Sequence, residues 1–148
     1  MAPKPDNSKS ALRAVDHAGF MLSGTGAKVT IFHSKRDLKR FIPDTLVDEF
    51  PEFQKFWQRR AGKEIAPFLQ KAREVLLAAG LKNEQIKTKV VDGSRSAAAD
   101  ILEELKRSEA GALFISLHGY SSVKDYSMGS ITRKVLHQAE DVAVCIVP

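Results

Sequence analysis

Glycine and serine crowd the one stretch of the chain that leads from an apolar run straight into a helical pattern. This stretch, SLHGYSSVKDYSMGS (Ser116–Ser130), follows Ala112–Ile115 and precedes ITRKVLHQ. Gly119 permits close backbone approach and a positive φ. Gly129 and Ser130 open a helix whose first N–H groups have no intrahelical acceptor. Those donors, the helix dipole and the Ser130 hydroxyl together make an anion site. The segment is long enough to arch over a polyphosphate, with His118 and Lys124 in reach of the phosphates. The spacing is met equally well if Gly119 simply ends a strand and Gly129–Ser130 caps a helix.

Other chemistries find less support. GTGAK (Gly24–Lys28) precedes a strand and does not link a strand to a helix, so it reads as a helix-terminating turn. Neither GxxxxGK[ST] nor a GxGxxG following a strand is present. There is no Ser/His/Asp nucleophile elbow and no convergent pair of carboxylates, so no catalytic residue is assigned. The four histidines, His17, His33, His118 and His137, fall in separate segments without metal-ligand spacing. The single cysteine, Cys145, lies in VAVCIV and reads as a small buried hydrophobe. A lone cysteine excludes an internal disulfide and fits a reducing, cytoplasmic setting. The net charge of +5 could attract anions, and SKRDLKR (Ser34–Arg40) is the densest basic stretch. No base-stacking or recognition-helix signature accompanies it, so solvated surface is expected and nucleic acid is not.

The elements that must position the loop alternate in kind. Apolar positions Ala11, Leu12, Val15, Ala18 and Leu22 have helical spacing, with Phe20 and Met21 off the stripe and Ser8 or Ser10 available as a cap. Lys28–His33 reads as a strand. Pro43 and Pro51 interrupt the next segment, which reads as a long loop with short helical turns. Beyond it, Phe53, Phe56 and Trp57, then Phe68, Leu69, Ala72, Val75 and Leu76, share a helix face that ends at Gly80. Pro67 predicts a kink or a fresh start. Ile86, Thr88 and Val90 alternate as in a strand. Gly93 and a cap serine open a helix with Ala98, Ile101, Leu102 and Leu105 on one face. Ala112–Ser116 reads as a strand buried on both sides, and a short helix and a last strand, DVAVCIV, complete the chain.

Alternating strands and helices predict an α/β fold, a mainly parallel sheet with helices on both faces. Its 148 residues suit one domain with a real core. Apolar residues are 43% and charged residues 28%, a soluble balance with no run long enough to cross a membrane. MAPKPDNSKS has no apolar segment of the kind a signal peptide needs.

The pattern resembles the universal stress protein family. The family's motif, Gly-x2-Gly-x9-Gly-Ser/Thr, is matched in spacing by Ser116, Gly119, Gly129 and Ser130, with serine at the first glycine position. GALFISLHG and GSITRKVLHQAEDVAVCIVP resemble the family's fourth strand, last helix and last strand. DNSKSALRAVDHAGFMLSGTGAKVTIFHS resembles its Asp-x-Ser segment, first helix and second strand. The likeness covers the chain apart from Lys35–Ile65.

The resemblance implies an open doubly wound sheet of five strands, order 3-2-1-4-5, and in many members ATP, with or without magnesium. It puts Asp6 against ribose or adenine, the Ser34 backbone against adenine, Ser116 beside the ribose, and Gly119, Gly129, Ser130 and Ile131 around the phosphates. At most slow ATP cleavage would accompany binding. The last strand supplies the family's usual dimer edge, here Val142, Val144 and Ile146, and so a homodimer. The alternative is a dimerisation or interaction domain of the same fold that binds no nucleotide. MAPKP is a poor copy of the family's apolar first strand. Either it forms a stunted strand, or residues 1–148 are a fragment or one unit of a longer, tandem protein; the fragment is the favoured expectation.

Overall fold

The computed structural model describes residues 7–35, 51–93, 96–117 and 128–148. Within them the chain runs α1 (Asn7–Leu22), β1 (Val29–Lys35), α2 (Pro51–Ala78), a 3-10 turn (Asn83–Gln85), β2 (Ile86–Asp92), α3 (Ala97–Ser108), β3 (Ala112–Ser116), α4 (Ser130–Gln138) and β4 (Ala143–Val147). The strands form two parallel pairs, β1 with β2 and β3 with β4. The expected first strand, like the long loop with short helical turns expected in residues 36–50, lies outside the described residues.

Local chemistry accounts for most element ends. Gly24, Gly26 and Gly80 hold φ of 78°, 75° and 107°, the left-handed region that terminates helices. Ser96 caps α3, its hydroxyl accepting from the Ala99 amide at 3.0 Å. Three expectations shift. The helix α1 already includes Asn7, so Ser8 and Ser10 stand inside its first turn instead of capping it. The strand expected at Lys28–His33 runs to Lys35, because the backbone ladder with β2 continues through Ser34↔Val91 and Lys35↔Asp92 after the apolar pattern has stopped. Pro67 lies within the continuous helix α2. It and Ala66 are exposed.

Helix α2 lies against β1 and β2, and α3 against β1 and α4, while α1 packs on α2, β3 and β4. The core gathers where α2 meets the first strand pair: Ile31, Ala72, Leu76, Leu81 and Ile86, flanked by Leu12, Val15, Val29, Leu69 and Ala79. Helices α1 and α2 approach closely at Gly19, where an added Cβ would lie 2.8 Å from that of Ala79. Phe20 and Met21, off the apolar stripe, are 82% and 56% exposed. The strand expected to be buried on both sides, β3, is instead half-buried along its length, with Ala112 exposed. Thr88 and Val90 are also exposed, although Ile86 is buried.

Along β1, Ile31 and His33 share the face toward α2, and alternate residues take the other. Burial lowers the His33 pKa below its ordinary 6.5, and the Lys35 charge adds to the effect. The unfolded chain therefore takes up a proton near pH 6.5 that the folded chain resists. The stability in question is complete above that pH and declines as pH falls through the folded-state value. Urea unfolding should show a steeper loss of stability between about pH 7 and pH 5 for the parent than for His33→Leu. Parallel pH profiles would refute the assignment.

Candidate functional site

The carboxyl end of β3 and the start of α4 are joined by two hydrogen bonds. The Thr132 hydroxyl donates to the Ser116 carbonyl at 2.8 Å, and the Gly129 amide donates to the Leu117 carbonyl at 2.8 Å. Leu117 continues the sheet by donating its own amide to Val147 at 2.8 Å. Thr132 is only 3% exposed, so its hydroxyl is committed to this contact.

Gly129 is the N-cap, with φ −57° and ψ 153°, and makes no side-chain cap bond. With its amide already used, the donors left for a ligand begin one residue later. Among the described residues the amides of Ser130, Ile131 and Thr132 have no acceptor. No acidic residue stands in the first turn of α4, so nothing there opposes an anion at the positive end of the helix dipole. Arg133 and Lys134 follow on the exposed side. This arrangement can bind an anionic group through main-chain donors.

Ser34 stands apart, near the end of β1. Its hydroxyl donates to Asp100 Oδ2 at 2.6 Å. Its main chain faces away from β2. Gly93 donates its amide to the Lys35 carbonyl at 3.1 Å, and parallel ladders use alternate residues, so the main-chain groups of Ser34 point to the opposite edge.

Of the site residues expected from the sequence, Ser116, Gly129, Ser130 and Ile131 are brought together at one strand end, and Ser34 sits at the end of another strand. Asp6, His118, Gly119 and Lys124 lie outside the described residues. Val144 and Ile146 are on β4, while Val142 precedes it. Cys145 is half-buried. The sequence reading missed Thr132 and Asp100. Each had a faint signal: a threonine in the first turn directly after Gly-Ser, and a carboxylate beside the apolar face of Ala98, Ile101 and Leu102. Among the described residues no cluster of His, Cys, Asp and Glu could hold a metal ion, and no helix is long and apolar enough to cross a membrane.

Comparison with known proteins agrees with this architecture. A model described as the universal stress protein family matches residues 5–148. No curated protein sequence matches the chain. Among solved structures, a universal stress protein in complex with cAMP is 23% identical, with TM-score 0.64, over 96% of this chain and 90% of that one. A universal stress protein from Archaeoglobus fulgidus is 18% identical, with TM-score 0.66, over 100% of this chain and 94% of its own. A structure of the universal stress protein from the same organism in complex with dAMP is 16% identical, with TM-score 0.64, over 100% and 93%.

Thr132→Val keeps the shape and removes the hydroxyl that donates to the Ser116 carbonyl. The expected loss is about 0.5–1.5 kcal/mol of unfolding free energy, read by chemical denaturation. Parent-like stability would show that the contact contributes nothing.

Proposed function

Because the chain belongs to the universal stress protein family, we propose that it binds an adenine nucleotide, with ATP the leading candidate, at the carboxyl ends of its parallel strands. The observation that carries the proposal is the start of α4, held on the end of β3 with its Ser130 and Ile131 amides unoccupied among the described residues and no acidic residue in its first turn. Phosphates at that helix start would be bound by main-chain N–H groups, the Ser130 hydroxyl and the helix dipole. The family relatives that carry cAMP and dAMP support an adenine ligand.

In this reading the sheet has five strands, with the order 3-2-1-4-5. Asp6, in the segment that resembles the family's Asp-x-Ser, would face the ribose or adenine. The Ser34 main chain, directed away from β2, meets the adenine edge. Ser116 lies beside the sugar, and His118 and Gly119 belong to the phosphate loop. No group is assigned to acid–base or nucleophilic work, so the role is one of binding in a stress or signalling response. Magnesium, where present, would be carried by the phosphates. The outer edge of β4, with Val144 and Ile146 on the strand and Val142 just before it, is the surface through which two copies would pair.

Equilibrium titration with a fluorescent ATP analogue should saturate below millimolar concentration, and Gly129→Val should abolish that binding. The φ of Gly129 is −57°, which valine tolerates, so a loss would come from the side chain entering the phosphate path and not from backbone strain. A parent chain that fails to saturate at millimolar nucleotide would end the nucleotide reading. Light-scattering mass with and without ATP tests the pairing. A dimer in both states that Ile146→Lys dissociates is expected, and a monomer at high concentration would contradict it.

A further inference from the structure

We propose that Asp100 is a positioning residue for the base end of the nucleotide site, acting through Ser34. The inference rests on the nucleotide reading above. Three elements meet at this point: the end of β1, the turn from β2 into α3, and the first turn of α3. Asp100 is 7% exposed and accepts the Ser34 hydroxyl proton at 2.6 Å. Gly93 closes the joint. A Cβ there would come within 2.3 Å of the Lys35 carbonyl oxygen and 3.2 Å of Ser34 Oγ. The backbone of β1 is thus pressed against the turn, and a side chain could not be inserted.

A carboxylate is an expensive group to bury, and among the described residues two features favour it here. It lies in the first turn of α3, where the dipole favours negative charge, and it takes a charge-assisted hydrogen bond from Ser34. The bond turns the Ser34 side chain toward α3. The ladder with β2 sets the edge on which the Ser34 N–H and C=O are offered, and the bond to Asp100 holds that strand end in place against α3. An adenine edge carries an amino donor next to a ring acceptor, which a strand's C=O and N–H can match. Asp100 therefore governs base recognition without touching the ligand, and the phosphate end depends on Gly129, Ser130 and Thr132 instead.

The test compares adenosine, ATP and inorganic tripolyphosphate by calorimetry on the full chain and on Asp100→Ala, Asp100→Asn and Ser34→Ala. Asp100→Ala and Ser34→Ala should weaken adenosine and ATP by about tenfold or more while tripolyphosphate binding is unchanged. Asp100→Asn, whose amide oxygen still accepts the hydroxyl proton, should restore most of the adenosine affinity. Hydrogen exchange gives a ligand-free readout: the Gly93 amide should lose protection in Asp100→Ala and keep it in Asp100→Asn. Should Asp100→Ala fail to fold, Ser34→Ala removes the same bond and carries the comparison. Unchanged adenosine affinity, or an equal loss of tripolyphosphate, overturns the positioning role. A parent chain that binds no adenosine or ATP overturns the nucleotide reading and the ligand half of this proposal. Unchanged Gly93 exchange in Asp100→Ala overturns the joint itself, whatever the ligand.

Discussion

The attachment of α4 to β3 is the constraint on which the candidate site depends. A helix that follows a strand can begin at many heights and rotations, and only some leave its first amides accessible at the strand end. Here two hydrogen bonds remove that freedom. One is a main-chain bond from Gly129 to Leu117, and the other is a buried side-chain bond from Thr132 to Ser116. Together they close the intervening segment at its base, so the entropy of bringing its ends together is met by the protein and not by a ligand. They also decide which donors remain. The Gly129 amide is consumed in holding the helix, and the cradle starts at Ser130.

The same logic recurs at the end of the other strand pair, with the chemistry reversed. At β3 the helix supplies a neutral hydroxyl and the strand supplies a carbonyl. At β1 the strand supplies the hydroxyl, Ser34, and the helix supplies a carboxylate, Asp100. Both helix residues are buried and both lie in the first turn, where a side chain can reach back to the strand end. Removing either takes a part-buried hydrogen bond from the joint between a strand end and the helix packed beside it. Away from these joints, fastening is looser. Lys89 and Arg107 both pair with Glu104 on α3, and Arg73 on α2 bonds to the Ile86 carbonyl and to Asn83, in contacts that range from part-buried to exposed.

What could be read along the chain was whatever local chemistry dictates. Gly24, Gly26 and Gly80 end helices because their φ values are open to little else, and Ser96 caps α3 because a β-region serine can reach an amide three residues on. The alternation of strands and helices, and the Gly129–Ser130 helix start, are likewise short-range signals. Thr132 and Asp100 escaped because their roles exist only through partners 16 and 66 residues away, and no periodicity records a single distant bond. The end of β1 was misplaced for a related reason. Its last two residues are polar, and they stay in the strand because the ladder is made by main-chain groups. Pro67 does not start a fresh helix: it stands exposed within the one that runs from Pro51 to Ala78.

The serine at position 116, where the family motif has glycine, can be weighed on the same footing. Ser116 is the last residue of β3, paired with Val147, so it occupies strand backbone that any residue adopts and needs no glycine for conformation. Its carbonyl is taken by Thr132, which would hold for either residue. What serine changes is therefore confined to its side chain, a Cβ and a hydroxyl at the strand end. The anion cradle begins fourteen residues later, behind the Gly129–Leu117 bond, and does not feel that substitution through the backbone. On the nucleotide reading the departure bears on the sugar and leaves the phosphates alone. Affinity for the polyphosphate tail and the fit of the ribose are in this way separate properties of the site, set by different residues and free to vary independently.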